Sequence, residues 1–241
     1  MQIELMNMQI DKIQKQLKKL SNHKKAIIYA KFFKAGKGQY GYGDFFYGIE
    51  MPKLHILAKK FTELRLENVQ ILLHDKYHEC RMLGLLILTE KYKIPDIKNK
   101  KEIFRLYIKN YNNINNWDLV DVTAPKIVGQ YLLDKIPQRK ILYKFASSKN
   151  LWKKRIAIIS TLTFIRNCET EDTLKICKIL LNDNHDLIHK AAGWMLREVG
   201  KKNINAEEEF LNKYYKKMPR TMLRYAIEKF SSNKKTFYMT K

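Results

Sequence analysis

The chain has 241 residues, enough for one domain or one short repeat array with an ordinary core. Its 47 lysines and arginines against 24 aspartates and glutamates give a formal net charge of +23, far beyond what solubility requires. A field of one sign argues for an anionic partner, with nucleic acid ahead of an acidic membrane surface. The abundance of Lys, Asn and Ile also fits the compositional bias of an AT-rich coding sequence.

Cys80, Cys168 and Cys177 show no paired spacing, which predicts a reduced, cytoplasmic setting. Residues 1–20 carry charges throughout and lack the apolar run of a secretory signal. No stretch approaches about 18 uninterrupted apolar residues, so no membrane span is expected.

In chain order, Ile10, Ile13, Leu17 and Leu20 recur at spacings of three and four, the signature of an amphipathic helix. The segment from Gly36 to Asp44 holds four of the nine glycines and reads as irregular. Pro52 sits where a helix would begin, as do Pro95, Pro137 and Pro219. Leu83, Leu86 and Ile87, then Ile156, Ile159 and Leu162, repeat the helical spacing, and alternating strand patterns are scarce. Helices are expected to begin near His78, Asn116, Leu151, Leu187 and Pro219, roughly 31–38 residues apart, close to the period of two-helix repeats. The pattern predicts an all-α, right-handed helical-repeat solenoid of HEAT-like antiparallel helix pairs. Its concave face would accept a duplex. Residues 1–233 form the single repeat domain in this reading, and 234–241 form a solvated basic tail.

Three of the expected helices carry tryptophan. Trp117 and Asp121 are four apart and share a helical face, while Leu119, Val120, Ala124, Ile127 and Val128 supply the buried side. N-terminal capping by Asn115 or Asn116, with Asp118 in the first turn, accounts for those residues. It leaves Asp121 unexplained. In Leu151-Trp-Lys-Lys-Arg155, Trp152 reads as a core or staple residue, and Arg155 as part of a solvated basic face or a salt bridge to a neighbouring helix. Gly193 inside a helix costs about 1 kcal/mol against Ala, tolerable if something approaches the backbone closely. Trp194 and Arg197 share a face there, with a core role for Trp194 equally open. If these helices are equivalent in the repeat, Trp117, Asp121, Arg155 and Trp194 converge on one wall. Two indoles, a carboxylate and a guanidinium suit a cationic, planar group beside a phosphate.

Six segments together resemble the DNA alkylation repair family, the AlkD-like glycosylases built from HEAT-like repeats. They are Phe46-Tyr-Gly-Ile-Glu-Met-Pro52, His78-Glu-Cys-Arg-Met-Leu83, Asn116-Trp-Asp-Leu-Val-Asp121, Leu151-Trp-Lys-Lys-Arg-Ile-Ala157, the stretch from His189 to Glu198, and the stretch from Met218 to Glu228. The resemblance implies a glycosylase that hydrolyses the N-glycosidic bond of N3- or N7-alkylated purines in duplex DNA, without base flipping, in base excision repair. It implies a catalytic Trp117–Asp121 pair, an active-site Arg155 that clamps a phosphate, and a second cleft tryptophan, Trp194. Arg197, Lys154 and Lys190 are implied DNA contacts, with Tyr40 or Tyr42 as the aromatic residue of the early loop. Lys154 stands where many relatives carry a second arginine, which keeps the charge but not a bidentate contact.

No cofactor or metal is expected, and a monomer is the simpler state. His74 and His78, and His185 and His189, are each four apart, but no zinc-protease glutamate pattern or Cys-x-x-Cys accompanies them. The glycine-rich segment lacks the ending of a phosphate-binding loop. The competing reading is a non-catalytic helical-repeat protein that binds damaged or branched DNA, or a protein scaffold. Such a protein has no need of Trp117, Asp121 and Arg155 together.

Overall fold

Side chains three and four apart give each helix an apolar stripe, and packing stripe against stripe builds the core. The computed structural model describes residues 2–240, with side chains from residue 8 onward. The helices are α1 (Gln2–Leu20), α2 (His23–Phe32), α3 (Met51–Lys60), α4 (Leu66–Leu73), α5 (His78–Tyr92), α6 (Ile97–Lys109), α7 (Trp117–Ala124), α8 (Gln130–Leu132), α9 (Lys140–Ala146), α10 (Leu151–Ser160), α11 (Leu162–Arg166), α12 (Glu171–Ile179), α13 (Asp186–Lys202), α14 (Ile204–Tyr214), α15 (Arg220–Ala226) and α16 (Ser232–Met239). Among the described residues the one β feature is an isolated bridge between Phe45 and Tyr77. No helix there is long and apolar enough to cross a membrane. The all-α, helical-repeat expectation holds. Helices expected near His78, Asn116, Leu151, Leu187 and Pro219 start at His78, Trp117, Leu151, Asp186 and Arg220.

The chain divides into two compact units, the first ending at Leu119 and the second beginning at Val120. In the first, α5 packs against α3, α4 and α6. Every residue from His78 to Thr89 is buried, as expected of a helix covered all round. Its Glu79 carboxylate accepts from the backbone N–H groups of Tyr47, Gly48 and Ile49 at 3.0, 2.7 and 3.2 Å. Gly48 has φ +77°, and a Cβ there would meet the Asn22 carbonyl at 2.2 Å, so only glycine fits. The glycine-rich segment ahead of it is a run of turns, as predicted.

In the second unit α13 packs against α10, α14 and α15, through Ile188, Ala191, Ala192, Met195, Leu196 and Val199. Gly193 is the point of closest approach: a Cβ there would lie 2.3 Å from the Met222 carbonyl and 2.6 Å from the Tyr225 Cβ. Gly193→Ala gains helix propensity of about 1 kcal/mol but drives a methyl into backbone. Overpacking of this kind costs about 1–3 kcal/mol, so the variant should unfold at lower urea concentration than the parent. Unchanged stability would show that α15 retreats without loss of packing.

Two features differ from expectation. Pro125, absent from the reading of the other prolines as helix starts, lies inside a continuous helical run as the first residue of a π-helical turn, Pro125–Gly129. Proline lacks the N–H that would bond the carbonyl four residues back, and its ring crowds that carbonyl. A wider turn accommodates both effects, and Thr163 Oγ donates to the Pro125 carbonyl at 2.6 Å. The carbonyl four residues back belongs to Asp121. Second, the expected basic tail at 234–241 is a correction: α16 runs to Met239, while Lys241 lies outside the described residues. Tyr238 is buried among Tyr215, Phe230 and Phe237, and its hydroxyl donates to Asn212 at 2.9 Å. Burial of one tyrosine ring, worth on the order of 2 kcal/mol, outweighs the fraying of a short end.

Candidate functional site

Asp121 stands in the second turn of α7 and Arg155 in the second turn of α10. Asn150 caps α10 by accepting from the backbone N–H groups of Trp152 and Lys153, each at 3.0 Å. Trp152 is buried and anchors the start of the helix, as its core reading predicted. Arg155 is then carried inward, where it is 5% exposed. Its Nε donates to one Asp121 carboxylate oxygen at 2.8 Å and its Nη2 to the other at 2.7 Å. Its Nη1 donates to the Leu187 carbonyl at 2.5 Å, in the first turn of α13. All three guanidinium nitrogens are therefore engaged within the protein. The geometry is a bidentate fork that orients a carboxylate, the salt bridge to a neighbouring helix that was one reading of Arg155. A guanidinium this deeply buried needs an anionic partner, and Asp121 supplies it.

The Asp121 side chain is 15% exposed. Each carboxylate oxygen accepts one hydrogen bond from Arg155. The group is thus an oriented, partly exposed anion. On α13, Trp194 is half-buried rather than a core residue, and its indole N–H donates to Glu198 at 3.0 Å. That bond leaves the ring faces as its remaining recognition surface.

Trp117 opens α7, and the cap is Asn116, whose side-chain oxygen accepts from the Trp117 N–H at 2.9 Å. Asn116 also donates to the Phe33 carbonyl at 3.2 Å. The half-buried indole packs against Phe32 at 5.7 Å and Phe33 at 5.6 Å between ring centroids. Trp117 belongs to the first unit, while Asp121, Arg155 and Trp194 lie in the second. Along α7, Trp117 and Asp121 are one turn apart.

Comparison with known proteins places the chain in a family. The family model described as DNA alkylation repair enzyme matches residues 13–230. This chain belongs to the DNA alkylation repair family. A predicted DNA alkylation repair enzyme from Enterococcus faecalis has a similar solved structure, with a TM-score of 0.69 at 17% identity, covering 88% of this chain and 97% of that one. At that identity the likeness speaks for the fold. None of the curated proteins matches the chain. Membership of the DNA alkylation repair family gives the chain a role in the repair of alkylated DNA and implies that it binds DNA.

The other residues expected to touch DNA in this repair-family member are placed as follows. Lys154 forms an ion pair with Asp183, its side chain 16% exposed, so its ammonium is already neutralised locally. Arg197, on α13, pairs with Glu228 in the short 3-10 turn that follows α15. Lys190 pairs with Asp186 at 2.7 Å on the exposed face of α13. Tyr42 is 64% exposed on the glycine-rich turn, and Tyr40 is half-buried there. The histidine pairs serve separate ends. His185 caps α13 by accepting from the Leu187 N–H at 3.1 Å, and His189 bonds the Asp183 carbonyl. His74 is exposed beside the Gln70 carbonyl at 2.7 Å, while His78 lies in a buried ionic cluster. Reading the sequence missed Glu198, which has a signal four residues after Trp194. It also missed the His78–Asp118 pair, 40 residues apart, for which no local pattern exists.

Proposed function

We propose that this chain is a DNA glycosylase that hydrolyses the N-glycosidic bond of N3- or N7-alkylated purines in duplex DNA. The observation that carries the reading is the Asp121 carboxylate, fixed by the Arg155 fork and still partly exposed. An alkylated purine of this kind is already cationic and leaves without strong acid catalysis. The demand falls on the deoxyribose, which develops oxocarbenium character as the bond breaks. An oriented carboxylate stabilises that charge and holds the attacking water, as in glycoside hydrolysis. Trp194, in the same unit as Asp121, offers its indole faces to the cationic nucleoside, and the family resemblance adds Trp117, one turn before Asp121 along α7. Because the bond is intrinsically labile, the lesion can stay stacked, and bulky adducts need not be rejected.

Binding itself rests on the basic residues. Affinity for undamaged duplex should fall with a log–log salt slope of about −0.9 per phosphate neutralised. A flat response across a salt series would remove the DNA-facing part of the reading. Chromatography of a reaction on duplex carrying N7-methylguanine tests the chemistry. Free 7-methylguanine above the spontaneous background is expected. Transfer of the methyl group to a protein thiol, with guanine left in the strand, would overturn it.

A further inference from the structure

Within the first unit, five polar side chains from three segments meet in one buried cluster. Asp44 comes from the glycine-rich turn, His78 and Arg81 from α5, and Asn115 and Asp118 from the start of α7. The His78 ring is 3% exposed. Its Nε2 lies 2.8 Å from Asp118 and its Nδ1 3.4 Å from Asp44. Arg81 Nη2 donates to Asp44 at 2.7 Å and to Asn115 at 2.9 Å, and Asn115 donates to Asp44 at 3.1 Å. A neutral imidazole has one N–H, so carboxylates at both ring nitrogens require the doubly protonated form. Burial alone disfavours that charge, but Asp118, with help from Asp44, overrides burial and Arg81 and lifts the pKa to about 9. Asp44 is held below the usual carboxylate range: burial pushes it up, and the bonds from His78 and Asn115 with the Arg81 charge prevail.

The cluster reaches the indole through one ring. Phe33, the residue after α2, lies 4.9 Å from His78 and 5.6 Å from Trp117 between centroids, with Phe46 5.1 Å from His78. The imidazolium thus grips α7 through Asp118, beside Trp117 in sequence, and supports the ring on which that indole rests.

We propose that His78 is a positioning residue for Trp117, an imidazolium that ties the glycine-rich turn and α5 to the first turn of α7 and so sets the angle of the indole. The proposal rests on the glycosylase reading, and its test separates the two. Single-turnover release of 7-methylguanine from duplex is measured from pH 6 to 10 for the parent, His78→Gln, Asp118→Asn and Asp121→Asn, with spontaneous release subtracted. His78→Gln should lower the rate constant about tenfold or more, because a small misplacement of a substrate-contacting group is costly. Affinity for undamaged duplex should stay within about twofold, since phosphate contacts set it.

The pH profile gives a readout that a merely structural role would not move. The imidazolium is present below its pKa and lost above it, so the parent rate should fall as pH rises through about 9. In Asp118→Asn, which loses the main charge holding that proton, the fall should move down by about one unit or more. If His78→Gln does not fold, the parent and Asp118→Asn profiles still decide. The proposal is overturned if Asp121→Asn is inactive while His78→Gln and Asp118→Asn match the parent in rate and profile. It is also overturned if the Asp118→Asn limb stays in place. Release by Asp121→Asn equal to the parent would instead defeat the glycosylase reading on which the proposal depends.

Discussion

Asp121→Asn is expected to lower the single-turnover release of 7-methylguanine by about 10²–10³-fold, the loss seen when one electrostatic stabiliser of a developing charge is removed. The substitution preserves shape and one acceptor oxygen. It removes the negative charge that would face an oxocarbenium-like sugar, and it turns an amide N–H₂ toward Arg155, whose Nε and Nη2 both donate to the native carboxylate. The buried guanidinium then loses its counter-charge, so stability falls as well. Rates are therefore compared at a temperature where circular dichroism shows both proteins folded. A loss confined to stability, with equal rates for folded protein, would leave Asp121 a structural ion pair.

The second large effect is on stability. Arg155→Ala leaves the Asp121 carboxylate and the Leu187 carbonyl without their shared donor in a region where the arginine side chain is 6% exposed and the aspartate 15%. Breaking a buried pair from one side costs about 3–5 kcal/mol, which urea denaturation would show as a shifted midpoint. Arg155→Lys keeps the charge but loses the fork, and should fall between the two. The same variants discriminate between the two roles considered for this residue. A phosphate clamp would lose about 0.9 from the log–log salt slope on duplex DNA. A carboxylate-orienting residue leaves that slope unchanged while stability and base release both fall. The geometry supports the second outcome.

Much of the fold was visible in the spacing of apolar residues. Leu119, Val120, Ala124, Ile127 and Val128 were expected on the buried side of one helix, and all five are fully buried. Gly193 signalled a close backbone approach before α15 was seen to provide it. Pro125 was less legible, because proline in a helical run ordinarily marks a boundary, whereas here the π-helical turn packs against α10 and α11. The C-terminal helix was hidden by its lysines; Phe237 and Tyr238 were the signal within them.

The candidate residues were legible one by one, but their bonds were not. Family resemblance pointed to Trp117, Asp121, Arg155 and Trp194, and periodicity placed them on helices. Asp121 and Arg155 are each four residues past the start of their helices, α7 at Trp117 and α10 at Leu151, so the repeat brings them into equivalent positions. The sequence left open whether the guanidinium forms a salt bridge to a neighbouring helix or faces solvent, and it did not name Asp121 as the partner. That choice follows from the depth at which α10 packs, a tertiary property. The same holds for His78, whose partners Asp44 and Asp118 lie 34 and 40 residues away.

The most direct test of the account is the mass of a lesion-bearing strand after incubation of its duplex with parent protein and with Asp121→Asn. The account predicts that the parent converts the N7-methylguanine strand to the abasic mass well above spontaneous depurination, and that Asp121→Asn leaves it at the background rate. An unaltered strand with the parent protein, or equal conversion by both proteins, would contradict it.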